Sequence, residues 1–199
     1  MASKSTYTIT PALFPNDKPA ITALFSAYTA ALGLDLTYQD YSTELSSLPG
    51  KYAPEKGGIL LVARDTTTSS DNNDSNNNNN NNEQGQEIVG CVALRALPPN
   101  PTTSSASGNE ENGSGNNYCE IKRLYITPSA RGTGLGARLI EAIIQHARNT
   151  GKYRGIKLDT LPGSYMASAR ALYRRYGFEE VERYYETPVE GTIFMGLEF

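Results

Sequence analysis

Apolar residues recur along this chain in two rhythms. Between Asp17 and Leu34, Ile21, Leu24, Phe25, Tyr28 and Leu32 fall three or four apart, which gathers them on one face of a helix. Tyr38 to Leu48 reads as a second, shorter helix. Leu135, Leu139, Ile140, Ile143, Ile144 and Ala147 repeat at helical spacing until Gly151 closes the run, and Met166 to Tyr176 is a fourth helix stopped by Gly177. Between these lie short β-rich runs at 7–10, 57–64, 87–97, 118–127 and 155–161, followed by Phe178 to Glu186 and Thr192 to Phe199. The order is β-α-α-β-β-β-α-β-α-β-β. Consecutive antiparallel strands feeding a β-α-β unit predict an α/β (α+β) fold with a mixed, mostly antiparallel central sheet flanked by helices.

Two stretches break the pattern: the Asn-rich 66–86 and the Pro/Ser/Gly/Asn-rich 98–117. Neither holds enough apolar surface to offset the entropy of ordering it, so both are expected to be mobile loop insertions, the first on a hairpin between two strands. Removing these 21 and 20 residues leaves 158 of the 199, the size of one domain, so residues 1–199 are expected to form a single unit.

Charge narrows the class of partner. The net charge is -3, divided as +3 over residues 119–199 and -6 over 1–118. Neither half carries the dense basic stripe of a nucleic-acid binder, while a mild positive bias suits a small multiply charged anion. No apolar run approaches the roughly 20 residues that cross a bilayer, and the first residues lack an apolar signal core. These features point to a cytoplasmic protein, with a nuclear address also compatible, acting as a monomer or homodimer away from membranes and nucleic acid. One histidine, His146, and two cysteines, Cys91 and Cys119, without a CxxC spacing do not make a metal site; both thiols are expected to be buried and reduced.

The chemistry concentrates in RLYITPSARGTGLGARL, residues 123–139. The amides opening a helix lack partners and carry the positive end of its dipole, and glycines at 132, 134 and 136 would let an anion reach them. Arg131 and Arg138 could add charged hydrogen bonds. A dinucleotide-binding turn is the rival reading, since Gly132 to Ala137 fits G-x-G-x-x-A and Asp159 ends the next strand. Context opposes it: Thr127 to Arg131 separate the glycines from their strand, and Glu120, Lys122 and Arg123 do not suit a strand buried on both faces.

Arg131-Gly132-Thr133-Gly134-Leu135-Gly136 resembles the Q/R-x-x-G-x-G/A signature of the GNAT superfamily, the GCN5-related N-acetyltransferases. Ala169 to Phe178 resembles that family's A-x-x-L-Y-x-x-x-G-F helix and strand, one helix and one strand downstream. The resemblance implies that the turn, with Ala137, holds the pyrophosphate of acetyl-CoA as acetyl donor. It also implies that the strand Leu124-Tyr125-Ile126 offers its backbone to the pantetheine arm, that Glu120 acts as base and that Tyr173 acts as acid toward the departing thiolate. A family asparagine early in the last helix is Met166 here, and Ser164 or Ser168 are candidate substitutes. Direct transfer in a ternary complex to a small amine or amino-acid derivative is the leading expectation; a peptide or histone lysine acceptor, or a non-catalytic acyl-CoA-binding protein, stays open. Tyr28, Tyr38, Tyr184, Tyr185 and Glu186 suggest a surface for a cationic or aromatic amine.

Overall fold

The computed structural model describes residues 6–33, 40–67, 86–98 and 117–199. Its seven strands are β1 (Tyr7–Pro11), β2 (Ile59–Asp65), β3 (Ile88–Ala96), β4 (Tyr118–Ile126), β5 (Gly155–Thr160), β6 (Glu179–Glu180) and β7 (Ile193–Glu198). They form one sheet in the order β1-β2-β3-β4-β5-β7-β6. Every pairing is antiparallel except β4 with β5, which are joined through a helix as parallel neighbours must be. No helix among the described residues is long and apolar enough to cross a membrane.

Alternation along the strands divides the core in two. Val92, Leu94, Cys119, Ile121, Ile156 and Leu158 face α3 (Leu135–Asn149) and α4 (Ala167–Arg175), whose apolar stripe buries Leu139, Ile140 and Ile143 completely. Each such side chain contributes about 1.5–3 kcal/mol by leaving water. On the other face, Leu60, Val62, Cys91 and Ala93 pack with α1 (Lys18–Leu32) and α2 (Tyr41–Ser47). Asp17, just before α1, accepts from the buried Arg64 guanidinium at 2.5 Å, fixing that helix to β2. Cys91 and Cys119 therefore lie on opposite faces of the sheet, and burial pushes both thiols up to about 12.

The helices of the sequence reading are found with trimmed ends. Gly33 in the left-handed conformation caps α1, while Leu34 and Tyr38 lie outside the described residues. The insertions 66–86 and 98–117 likewise lie outside them apart from their ends, and β2 pairs with β3 across the first as a hairpin would. One strand is much shorter than expected: of Phe178 to Glu186 only Glu179–Glu180 pairs with β7. The reason is a competing contact. Tyr184 and Tyr185 stack edge-on against Phe194 at 5.0 and 5.1 Å, and the Tyr184 hydroxyl bonds Glu120, so the chain turns over the sheet face instead of continuing beside β7.

Candidate active site

β4 and β5 begin as neighbours and then separate. Their pairing runs only from Tyr118↔Gly155 to Glu120↔Lys157, although both strands continue. The cause lies in β4. Between Cys91↔Tyr125 and Ala93↔Lys122, β4 advances three residues to two on β3, and Arg123 takes φ 57, a left-handed conformation unusual for a side chain that size. One extra residue of this kind bends a strand away from its neighbour. The gap is a cleft of about 670 Å³ whose lining includes Lys122, Arg123, Leu124, Tyr125 and Ile126 on one side and Leu158, Asp159 and Thr160 on the other.

At one end stands the glycine turn. Gly132 and Gly134 have φ of 78 and 81, and a β-carbon at either would meet open space, so glycine is there for the backbone and the turn stays open. Gly136 differs: a β-carbon would press on Ile126 and Leu172 at 3.3 and 3.5 Å, so its role is to let α3 lie close to the strand and α4. Arg131, Gly132, Gly134, Leu135, Gly136 and Ala137 all line the cleft. Thr133 does not; its hydroxyl turns back to the Ala130 carbonyl at 2.7 Å. Nor does Arg138 reach the anion site, because its guanidinium donates to the Tyr7 carbonyl at 3.0 Å. Arg131 donates to the Ile126 carbonyl and lies over the Tyr125 ring.

Against the other wall, α4 contributes Ser168, Ala169, Leu172 and Tyr173, with Met166 just before it; Ser164 is not among the lining residues. Tyr173 is buried against Phe178, and its hydroxyl has no hydrogen-bond partner among the described residues. Burial first, then electrostatic contributions from Tyr28 and Asp159, hold its pKa above the usual phenol value. Thr160 is 3% exposed and its hydroxyl too lacks a partner, a state that costs free energy unless a ligand satisfies it. The spacing of residues did not reveal this position, since only the end of the β5 pairing makes it part of a cleft.

Glu120 is completely buried and does not line the cleft. Its carboxylate takes the Arg95 guanidinium at 2.6 Å, the Tyr184 hydroxyl at 2.8 Å and the Lys122 ammonium at 3.3 Å. Lys122 also bonds Asp159 across the floor of the cleft, one alternation beyond the last β4–β5 rung. Arg123 does not join Glu120. It forms a two-point pair with Glu44 of α2, at 2.9 and 2.8 Å, between the rings of Tyr28 and Tyr41. The carboxylate facing the cleft is thus Asp159, which strand alternation alone could not place because the strands part there.

Four similarities accompany this geometry. The profile of the acetyltransferase (GNAT) family matches residues 51–178. An N-acetyltransferase of Schizosaccharomyces pombe, named as uncharacterized, is 32% identical over 198 residues, covering 100% of this chain and 98% of its own. A Salmonella typhimurium protein solved with its cofactor acetyl-CoA superimposes with TM-score 0.59 at 16% identity, over 98% of this chain and 94% of its own. A chain of the NatC complex bound to Gag peptide and CoA does so with TM-score 0.61 at 16% identity, over 97% and 98%. Motif, splayed strands and whole-length relatives agree, and this chain is an enzyme of the acetyltransferase (GNAT) family.

Proposed function

We propose that the protein transfers the acetyl group of acetyl-CoA to the primary amine of a small molecule or amino-acid derivative, directly within a ternary complex and with the whole chain acting as one catalytic domain. The observation that carries this reading is one continuous cleft running from the open glycine turn, across the parted ends of β4 and β5, to the Tyr173 hydroxyl. Its residues fit the donor. The amides of Leu135, Gly136 and Ala137 open α3 without in-helix partners and, with the amides of Gly132 to Gly134 and the charge of Arg131, suit a pyrophosphate. Beyond Glu120 the β5-facing edge of β4 has no strand partner, so backbone groups along Leu124 to Ile126, apart from the Ile126 carbonyl that Arg131 holds, are available to an amide-bearing arm, and Thr160 and Ser168 add hydroxyls.

Acetyl-CoA supplies the thioester acyl group and a thiol leaving group. Tyr173 holds its proton at neutral pH and hands it to the departing sulfur. Glu120, sealed behind the sheet face, acts as a positioning residue that fixes the Lys122 ammonium at the cleft floor. Neither cysteine carries the acyl group, because burial keeps both thiols protonated and they do not line the cleft.

Calorimetric titration with acetyl-CoA, NAD and NADP in parallel tests the donor site. Micromolar acetyl-CoA binding without dinucleotide binding is expected; binding of NAD or NADP instead would refute the reading. Gly134→Ala adds a side chain at φ 81 in open space, so only backbone strain of about 1–2 kcal/mol is expected. A melting temperature lowered by several degrees, together with weakened acetyl-CoA binding, checks this, and unchanged binding would remove the turn from the donor site.

A further inference from the structure

We propose that the acceptor is an α-amino acid, its amine received by Asp159 and its carboxylate by Lys122. This rests on the acetyl-transfer reading above and specifies its acceptor.

A cage for a cationic amine is the first alternative the tyrosines suggest, but their rings already face the protein's own cations. Arg123 lies over Tyr28 and Tyr41, Lys122 over Tyr185 and Lys157 over Tyr184, at 5.0–5.7 Å to the ring centroids. Among the described residues, the charged ones lining the cleft are Lys122, Arg123, Arg131 and Asp159. Arg131 stands by the glycine turn, with the anion site. Behind the floor Glu44 neutralises Arg123 and Glu120 shares Lys122, so what a ligand meets there is the Lys122–Asp159 pair, one charge of each sign.

The geometry selects which ligand. Arg123 is committed at two points to Glu44. Lys122 has three N–H donors, and among the described residues its oxygen partners are the two carboxylates Glu120 and Asp159, with the Tyr185 ring 5.4 Å away, which leaves a donor for a ligand carboxylate. Because Lys122 and Asp159 touch, their complement is a molecule whose own opposite charges sit side by side, as in an α-amino acid. Asp159 is placed to take one proton from the bound ammonium, leaving the neutral amine that attacks the thioester carbon. The nitrogen's second proton leaves as the C–S bond breaks: Tyr173 gives its proton to the sulfur and recovers one from the nitrogen. The products are the N-acetyl amino acid and CoA thiol, and Asp159 returns its proton to solvent.

The experiment is acetyl-CoA-dependent thiol release from the full chain with the common α-amino acids, their α-amides, the matching decarboxylated amines and a lysine-containing peptide. Wild-type protein is expected to favour at least one free acid over its amide by roughly 10- to 100-fold in kcat/KM. Lys122→Gln is expected to erase that preference through KM and Lys122→Arg to keep it, while Asp159→Asn lowers kcat/KM for acids and amides alike. Melting curves and acetyl-CoA titrations of the same variants show that fold and donor site persist; where Lys122→Gln fails to fold, the acid-to-amide ratios of wild type and Lys122→Arg decide. Amides or amines used as well as acids, turnover of the peptide alone, or a preference that survives Lys122→Gln would overturn the proposal while leaving acetyl transfer intact. Absence of acetyl-CoA binding would overturn both.

Discussion

Tyr173→Phe lowers kcat by roughly 10²- to 10³-fold, the range lost when a positioned acid is removed, while acetyl-CoA affinity stays within about twofold. The asymmetry follows from where the residue sits. Its ring packs on Phe178 at 5.9 Å, a contact that phenylalanine preserves, and its hydroxyl has no partner among the described residues, so the substitution orphans no group. What disappears is a proton facing the cleft. Because burial first, and electrostatic contributions from Tyr28 and Asp159 second, hold the phenol above its usual value, it remains protonated through neutral and mildly alkaline pH. The alkaline limb of kcat below about pH 10 therefore does not come from Tyr173. Steady-state kinetics of both proteins over pH 6–10 provide the check; a wild-type kcat in the variant would end the assignment of acid to this residue.

Glu44→Ala destabilises the protein by about 3–5 kcal/mol, the cost of leaving a buried charge uncompensated. Glu44 is buried and accepts from Arg123 twice, from Lys51 and from the Tyr52 hydroxyl, tying α2 to β4 at the bulge. Burial would raise its pKa, but the hydrogen bonds and charge of Arg123, with those of Lys51, outweigh it and hold the group at about 2 against 4.5 for a free carboxyl. Lys51 is itself lowered, by burial, so Arg123 is the partner that carries the effect.

The linkage has a definite sign. A carboxyl whose folded pKa lies below its unfolded one contributes stability that is fully present above about pH 4.5 and disappears as pH falls toward 2, in all about 3 kcal/mol. Denaturant unfolding of wild type and Glu44→Gln at pH 7, 4.5 and 3 measures it. Equal losses in the two proteins between pH 4.5 and 3 would show that Glu44 is not the group responsible. The pair also holds Arg123 at φ 57, where an ordinary residue is strained, so the alanine variant is expected to relax the bulge that opens the cleft and to lose activity beyond its loss of folded protein.

How far the chain could be read in advance depended on the range of the interactions concerned. The apolar stripe of α3, the glycines that close α3 and α4 and the β-rich runs of β3 and β4 follow from local periodicity and backbone preference, and they fixed element order, sheet class and the turn beside the cleft. Which glycines serve the turn and which serves packing was not visible, since Gly136 is defined by Ile126 and Leu172. The charged residues fared similarly. Glu120, Lys122 and Arg123 lie within four positions, yet among them only Glu120 and Lys122 touch, at 3.3 Å; the fold also sends Glu120 to Arg95 and Tyr184, Lys122 to Asp159, and Arg123 to Glu44. The strand expected up to Glu186 stopped after Glu180 because two tyrosines found Phe194 and Glu120 instead. The sequence by itself determined the elements, the mixed sheet and the family motif, because neighbours along the chain impose those. Only the tertiary structure decided that Glu120 is sealed and Asp159 faces the cleft, because burial and charge pairing depend on where a bulge parts two strands, and on side chains up to 79 positions away.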